Sequence, residues 1–177
     1  ESFVRQLLLG TGLCRRELGV EVKTGWQLDT FGHHAQMPQL LRLAGIDSFW
    51  FFRGVPSWDV PAEFLWEGLD GTRVEAFWLP QGYAVAYGLP PEPNEFGRLL
   101  EERFALLDRQ AAGPERAGPA GADVCAPEAH VPACAAAFNG RPDRPFRLRL
   151  AVPAEYEAAV RRRDADRPVV AGELNPI

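Results

Sequence analysis

Residues 25–54 constrain the fold of this chain more than any other segment. They read GWQLDTFGHHAQMPQLLRLAGIDSFWFFRG, which predicts a strand, a tight turn, a helix and a second strand. Apolar residues recur at helical spacing from Met37 to Ala44, and Gly45 follows in the usual place of a helix C-terminal cap. The run 48–52 is so apolar and aromatic that it predicts a buried strand.

A single carboxylate, Asp29, stands where the first of these strands ends. Apolar Trp26 and Leu28 lead into it, and the turn follows it directly. In α/β enzymes the catalytic residues lie at the carboxyl ends of strands in units of this kind. Asp29 is therefore the first candidate for a functional residue.

The remainder of the chain continues to alternate helical and strand patterns, which indicates an α/β fold with parallel strands. Asp70-Gly71 lies between two alternating arms and predicts a hairpin over residues 63–79. Alternating apolar and Arg residues predict a half-buried strand over 146–152. The first strand of the 25–54 unit is predicted to begin at Val20 and to run to Leu28. The other predicted elements are helices over 2–18, 95–110 and 153–163, and a short strand over 168–171.

The 177 residues are enough for one core of ordinary domain size, so we expect residues 1–177 to belong to one domain. Pro, Gly and Ala dominate residues 111–145, which predicts a loop region containing at most a short helix. The chain begins at Glu1 and its only Met is Met37, so we expect an internal segment truncated at both ends.

Composition excludes several classes of partner. The net charge is −5 and no Lys/Arg block is interleaved with aromatic residues, which argues against a nucleic acid partner. No apolar stretch is long enough to cross a membrane. The odd number of cysteines, without zinc-finger spacing, predicts reduced thiols in a cytoplasmic protein. A homo-oligomer remains open.

The run GWQLDTFGHHAQMPQLL resembles the signature of the retaining, zinc-dependent α-mannosidases of glycoside hydrolase family 38. Similar matches are ESFVRQLLLG before it, and FLWEGLDGTRVEAFWLPQGY and VVAGELNPI after it. The resemblance implies the central part of a catalytic (β/α) barrel, here incomplete. It also implies hydrolysis of terminal α-mannosidic bonds with retention of configuration.

The resemblance assigns two carboxylates. Asp29 matches the family nucleophile, which would form a covalent glycosyl intermediate and also bind zinc. From its position alone, Asp29 could equally cap the following helix. Asp123, in Gly121-Ala122-Asp123, is the best match to the family's acid/base residue. The alternative for Asp123 is an ordinary turn residue in a loop.

Three further residues match substrate-binding positions of the family. Phe31 matches an aromatic residue that lines the sugar site, and Tyr83 matches a tyrosine that hydrogen-bonds substrate. Arg53 matches an active-site arginine, which could bind the nucleophile carboxylate or a sugar hydroxyl. The alternative for Arg53 is an ion pair with Asp47 or Asp59.

The family's zinc site also uses a His-x-Asp pair and a further His, and neither has a counterpart in this chain. The adjacent His33 and His34 point in different directions and do not make a metal site, while His34 and His130 are predicted to be exposed. One carboxylate falls short of the three protein ligands of catalytic zinc. We therefore expect the isolated chain to be inactive and to bind Zn²⁺ weakly or not at all.

Three alternatives remain. The substrate could be mannosylglycerate or another mannosyl conjugate. A zinc-dependent polysaccharide deacetylase is a weaker candidate, because its chemistry needs an Asp with two His at ligand spacing. The chain could also derive from a degenerate, non-catalytic carbohydrate-binding homologue.

Overall fold

The computed structural model describes residues 1–55, 57, 59–163 and 166–175. The chain divides into two compact units. Unit 1 consists of Glu1–Leu79 and Asp164–Ile177, and unit 2 of Pro80–Arg163.

Unit 1 is built on a five-stranded mixed sheet with the strand order β1-β2-β4-β3-β5. Neighbouring strands are parallel except for the β3–β4 hairpin, which is antiparallel. The strands are β1 (Thr24–Gln27), β2 (Ser48–Phe51), β3 (Glu63–Glu67), β4 (Arg73–Trp78) and β5 (Val169–Ala171). The predicted α/β class is therefore confirmed, and β1 and β5 are shorter than the predicted strands 20–28 and 168–171.

Two helical segments of unit 1 were predicted from sequence, and both form. The first begins as α1 (Ser2–Leu13) and continues as one π-helical turn, Cys14–Leu18. The second, α2 (Met37–Leu43), ends where Gly45 turns the chain with φ +78°. The amide of Gly45 donates to the carbonyl of Arg42 at 3.0 Å, so glycine closes the helix as predicted.

The hairpin predicted around Asp70-Gly71 also forms. The amide of Gly68 donates to the carbonyl of Thr72 at 2.9 Å. Asp70 accepts hydrogen bonds from the amide of Thr72 at 3.0 Å and from its hydroxyl at 2.8 Å. The short polar side chain thus satisfies the main chain of the turn locally, as Asp does in many turns.

Large aromatic side chains fill the core of unit 1. Phe49, Phe51, Phe64 and Trp66 are almost fully buried, together with Leu174 from the segment after β5. Aromatic residues of this size each bury a large apolar area and pack edge-to-face or offset. The predicted buried strand 48–52 is confirmed as β2 with all four residues buried.

Unit 2 is helical. Its elements are α3 (Pro93–Ala105), a 3₁₀ turn (Leu106–Gln110), α4 (Val131–Gly140) and α5 (Pro153–Arg161). Glu92 caps α3 by accepting hydrogen bonds from the amides of Asn94 at 3.0 Å and Glu95 at 2.7 Å. Within the Pro/Gly/Ala-rich segment 111–145, α4 is the one regular element and the flanking residues form loops.

The predicted strand over residues 146–152 was wrong. The segment is irregular, although Phe146 and Leu148 are half-buried and pack against the core of unit 2. The side chain of Asn139 both donates to the carbonyl and accepts from the amide of Leu148, each at 2.9 Å. A side chain therefore satisfies the main-chain groups that a neighbouring strand would have paired. Alternating polarity indicates that one face of a segment is buried, but it does not indicate that another strand lies beside the segment.

Among the described residues, no helix combines the length and apolar character needed to cross a membrane.

Candidate active site

The register of the first two strands brings Asp29 beside Arg53. In the parallel pair β1–β2, Trp26 lies opposite Trp50 and Gln27 opposite Phe51, a constant offset of 24 residues. The ladder continues beyond β1, since the amide of Phe52 donates to the carbonyl of Leu28 at 3.1 Å. The same offset then places residues 29 and 53 next to each other at the carboxyl ends of the two strands.

Arg53 binds the carboxylate of Asp29. Its Nε lies 2.6 Å from Asp29 Oδ1, within a charge-assisted hydrogen bond. Both side chains are partly open to solvent, with 37% of Arg53 and 43% of Asp29 exposed. Asp47 and Asp59, the other carboxylates considered as partners of Arg53, have different partners in the described structure. Asp47 pairs with Arg42, and Asp59 hydrogen-bonds to Ser57.

Two aromatic rings hold the guanidinium of Arg53. Its Cζ lies 4.5 Å from the ring centroid of Phe31 and 5.0 Å from that of Phe52. Cation–π contacts of this geometry favour one orientation of the planar group. Phe31 is itself 69% exposed, so its outer face is open beside the carboxylate. The structure thus brings together three of the five predicted site residues, Asp29, Phe31 and Arg53.

His33, four residues after Asp29, is buried in the same unit. Only 2% of its surface is exposed, whereas His34 is exposed as predicted. Burial lowers the pKa of His33 to about 4, although the main chain at Arg53 opposes this shift in part. The imidazole is therefore neutral at pH 7. His130, predicted to be exposed, is half-buried in unit 2, where Nε2 lies 2.8 Å from the carbonyl oxygen of Leu89.

The segment after β5 reaches the residues around Asp29 and Arg53. The sequence patterns did not predict this contact. The main chain of Leu174 pairs with that of His33 through two hydrogen bonds of 2.8 Å. Gly54 also abuts this segment, because a Cβ there would lie 2.5 Å from the Leu174 carbonyl oxygen. The one sequence feature that indicated this close approach is Gly54 itself, directly after Arg53. Its φ of +106° is a conformation that favours glycine.

The remaining two predicted site residues meet in unit 2. The hydroxyl of Tyr83 donates to Asp123 Oδ2 at 2.8 Å. The next residue, Val124, is fully exposed and has φ +51°, which is rare for a β-branched residue. Strained main chain of this kind is found preferentially at functional sites. Within the described residues 80–122 of unit 2 no strand leads into Asp123, in agreement with the small residues at 117–120.

The described residues do not assemble a metal site of their own. No group of three or more His, Cys, Asp or Glu side chains lies close enough in this part of the chain to hold an ion. Asp29 offers a carboxylate, an acceptable zinc ligand, but catalytic zinc takes three protein ligands. The described donor set alone therefore does not fit catalytic zinc.

Comparison with known proteins identifies the family. Residues 1–172 match the profile of the glycosyl hydrolases family 38 N-terminal domain. This chain belongs to glycosyl hydrolase family 38. The family 38 resemblance of the signature around Asp29 is thereby confirmed.

Relatives within family 38 agree with this result. The chain is 38% identical over 100 residues to alpha-mannosidase 2C1 of Mus musculus, an alignment that covers 54% of this chain and 9% of the relative. It is 29% identical over 124 residues to a putative mannosylglycerate hydrolase of Halalkalibacterium halodurans, covering 63% of this chain and 14% of the relative. The chain therefore matches only a small part of the length of these relatives.

A solved family 38 structure has the same fold. The crystal structure of an alpha-mannosidase from Enterococcus faecalis V583 superposes with a TM-score of 0.87 at 27% identity. The match covers 98% of this chain and 20% of that one. The α/β fold predicted from sequence is thus that of a stretch of a family 38 enzyme.

Proposed function

We propose that the full-length protein containing this chain hydrolyses terminal α-mannosidic bonds with retention of configuration, and that Asp29 is the nucleophile. The observation that carries the proposal is the Asp29–Arg53 pair at the carboxyl ends of two parallel strands. It is supported by membership of family 38, whose relatives include alpha-mannosidases.

The geometry around Asp29 suits a nucleophile. Arg53 engages Oδ1, and no described residue donates a hydrogen bond to Oδ2. One oxygen is thus oriented while the other can reach a sugar. In the first step Oδ2 would attack the anomeric carbon as the bond to the leaving oxygen breaks, forming a glycosyl–Asp29 ester.

A second carboxyl group must serve as acid and base, and we propose Asp123 for this role. It would give a proton to the leaving oxygen and then take one from the water that cleaves the ester, which restores Asp29. Support comes from Tyr83, whose hydroxyl holds Asp123 Oδ2 at 2.8 Å. We further propose that Tyr83 and Phe31 contact the substrate, Phe31 through its exposed ring.

For the metal, we propose that Asp29 contributes one Zn²⁺ ligand in the full-length protein. Since the described residues supply no complete site, no step above depends on the ion. Metal analysis of the purified full-length protein and its Asp29→Asn variant tests this separately. Equal zinc content in the two proteins would contradict a ligand role for Asp29.

The central experiment measures hydrolysis of an aryl α-mannoside by the full-length protein and two matched variants. Asp29→Asn removes the proposed nucleophile. Asp47→Asn is the control, because Asp47 is 42% exposed and also pairs with an arginine, Arg42, in unit 1. We expect Asp29→Asn to lose on the order of 10⁴-fold in kcat and the control to stay near the wild type.

The outcomes separate the alternatives. Release of the α-anomer of mannose as first product supports retention, and release of the β-anomer contradicts it. Activity that survives in Asp29→Asn would show that another carboxylate is the nucleophile. An inactive wild type on all α-mannosides would favour a non-catalytic carbohydrate-binding protein.

A second candidate substrate is mannosylglycerate, favoured by the match to the Halalkalibacterium halodurans protein of that description. Comparing kcat/KM for mannosylglycerate and an uncharged α-mannoside decides between the two.

As for location, we propose the cytoplasm, because the three cysteines are free and a reducing compartment keeps them so.

A further inference from the structure

The indole of Trp78 lies next to the strand end that carries Arg53. Trp78 is the last residue of β4 and pairs with Phe51, the last residue of β2. Its side chain is almost fully buried in the core of unit 1. The indole Nε1–H donates to the main-chain carbonyl of Phe52 at 2.8 Å. Trp78 thus reaches one residue beyond its own strand pairing, to the residue directly before Arg53.

This hydrogen bond restrains the peptide group between Phe52 and Arg53. The carbonyl oxygen of Phe52 lies in one planar unit with the amide nitrogen and Cα of Arg53. Phe52 is also held through its own amide, which donates to the carbonyl of Leu28 at 3.1 Å. Since Leu28 directly precedes Asp29, the main chain that carries Arg53 is tied both to β4 and to the strand end that carries Asp29.

The guanidinium of Arg53 depends on the same peptide group through two contacts. Its Cζ lies 5.0 Å from the centroid of the Phe52 ring, and its Nε lies 2.6 Å from Asp29 Oδ1. The two side chains leave the main chain on either side of this peptide, so a rotation of the peptide moves both of them. Hydrogen bonds to carboxylates and cation–π contacts are sensitive to such displacements.

We propose that Trp78 is a positioning residue whose indole N–H holds the Phe52–Arg53 peptide and thereby the guanidinium that orients Asp29. The inference rests on the proposed role of Asp29 in the full-length protein. The alternative is a purely structural role, because a buried indole N–H needs an acceptor wherever it lies. The two roles differ in what happens to catalysis when the N–H group alone is removed.

Trp66 provides a matched control in the same core. Its side chain is fully buried, and its indole Nε1–H donates to the main-chain carbonyl of Gly172 at 2.7 Å. Gly172 lies directly after β5. The two tryptophans therefore make the same kind of hydrogen bond, but that of Trp78 ends on the peptide group of Arg53 and that of Trp66 does not.

The experiment replaces each tryptophan of the full-length protein with benzothienylalanine by site-specific incorporation. This analogue removes the donor and little else, because sulfur takes the place of the N–H group in a ring of nearly the same shape. At position 78 we expect kcat on an aryl α-mannoside to fall by about 100-fold with KM nearly unchanged. At position 66 kcat should stay near the wild type. Both variants should show similar decreases in melting temperature, because each loses one hydrogen bond of the same kind.

A wild-type kcat in the analogue variant at position 78 would overturn the proposal, because the N–H group would then not be needed. Equal losses of kcat at positions 78 and 66 would also overturn it, since they would indicate a general effect of disturbing the core.

An Arg53→Ala background tests whether Trp78 acts through Arg53. If it does, Trp78→Phe lowers kcat in the wild type but causes no further loss in Arg53→Ala, because the guanidinium that it positions is already absent. Trp66→Phe should have the same small effect in both backgrounds. Additive losses of kcat from Arg53→Ala and Trp78→Phe would contradict an action through Arg53.

A crystal structure of each full-length analogue variant gives a readout that does not depend on activity. We expect the contact between Arg53 Nε and Asp29 Oδ1 to be lost in the variant at position 78 and kept in the variant at position 66. An unchanged contact at position 78 would refute positioning even if the wild type proved active. Loss of the contact in a protein whose wild type is inactive on mannosides would support the positioning role and reject only the proposed function.

Discussion

Arg53 Nε donates to Asp29 Oδ1 across 2.6 Å, and the two residues are as far apart in sequence as every paired residue of β1 and β2. The ion pair is therefore an extension of the strand register beyond the sheet. Because both side chains are partly exposed, the pair adds little to stability. We infer that the main contribution of the ion pair is to orient the carboxylate of Asp29.

Replacing Arg53 should thus affect catalysis far more than folding. In the full-length protein we expect Arg53→Ala to lower kcat on an α-mannoside by about 100-fold while changing the free energy of unfolding by less than about 1 kcal/mol. Arg53→Lys should be nearly as impaired, because lysine keeps the charge but loses Nε and the planar group held by Phe31 and Phe52. Steady-state kinetics and thermal unfolding measure the two effects.

The control for this prediction is Arg42→Ala, which breaks the similarly exposed pair with Asp47. If both alanine variants leave kcat unchanged, Arg53 does not orient the nucleophile.

Gly54 should not tolerate a side chain, because the main chain of Leu174, which is distant in sequence, lies too close to it. Gly54→Ala must adopt φ near +106° and place Cβ about 2.5 Å from the Leu174 carbonyl oxygen. We expect a loss of about 2–4 kcal/mol in the free energy of unfolding, from main-chain strain and steric overlap together. Urea unfolding of the 177-residue chain measures it.

Gly172→Ala is the matched control, since its φ is +95° but nothing lies within 4 Å of the added Cβ. It carries the strain without the overlap, so it should be destabilised by about 1 kcal/mol. Equal losses in the two variants would mean that the close approach of Gly54 to Leu174 contributes nothing.

Asp123→Asn should reveal an acid/base role through the leaving group of the substrate. With a poor leaving group, which needs a proton, kcat/KM should fall by about 10²–10⁴-fold. With a strongly activated aryl leaving group the fall in kcat/KM should be much smaller, because departure needs no acid. Asp108→Asn, which alters another exposed carboxylate of unit 2, serves as the control. A uniform loss across all leaving groups would argue against the assignment.

His33 should make folding sensitive to acid. Its pKa falls from 6.5 to about 4 on folding because burial disfavours the charged ring, with a smaller contribution from nearby His34. Between these values the unfolded chain binds more protons than the folded chain, so stability rises with pH across this window. The change amounts to about 3 kcal/mol between pH 6.5 and pH 4.

Urea unfolding of the 177-residue chain at several pH values from 4 to 7 tests this prediction. His33→Phe should lose that part of the pH dependence, whereas His34→Phe should keep it. The same slope of stability against pH in wild type and His33→Phe would contradict the neutral, buried state of His33.

Several features of the fold followed from local sequence patterns alone. Helical spacing ending in Gly45, the apolar run of β2 and the Asp70-Gly71 turn each specify a conformation through contacts only a few residues apart. The position of Asp29 at a strand end followed in the same way. These predictions hold because backbone sterics, capping and periodic burial act locally.

The predicted strand over 146–152 did not form, because strand formation depends on a partner outside the segment. Alternation there correctly marked Phe146 and Leu148 as partly buried, but the partner of the Leu148 main chain is the side chain of Asn139. Pairing of the main chain depends on what else reaches the segment, and a local pattern carries no information about that.

The amino-acid sequence by itself thus determined the strand–turn–helix–strand unit, its family and the candidate residues Asp29 and Arg53. Only the tertiary structure decided that Arg53 binds Asp29 and not Asp47, that His33 is buried, and that Leu174 pairs with His33. Each of these contacts joins residues at least 20 positions apart. Such contacts depend on strand register and on how distant segments pack, which no local pattern encodes.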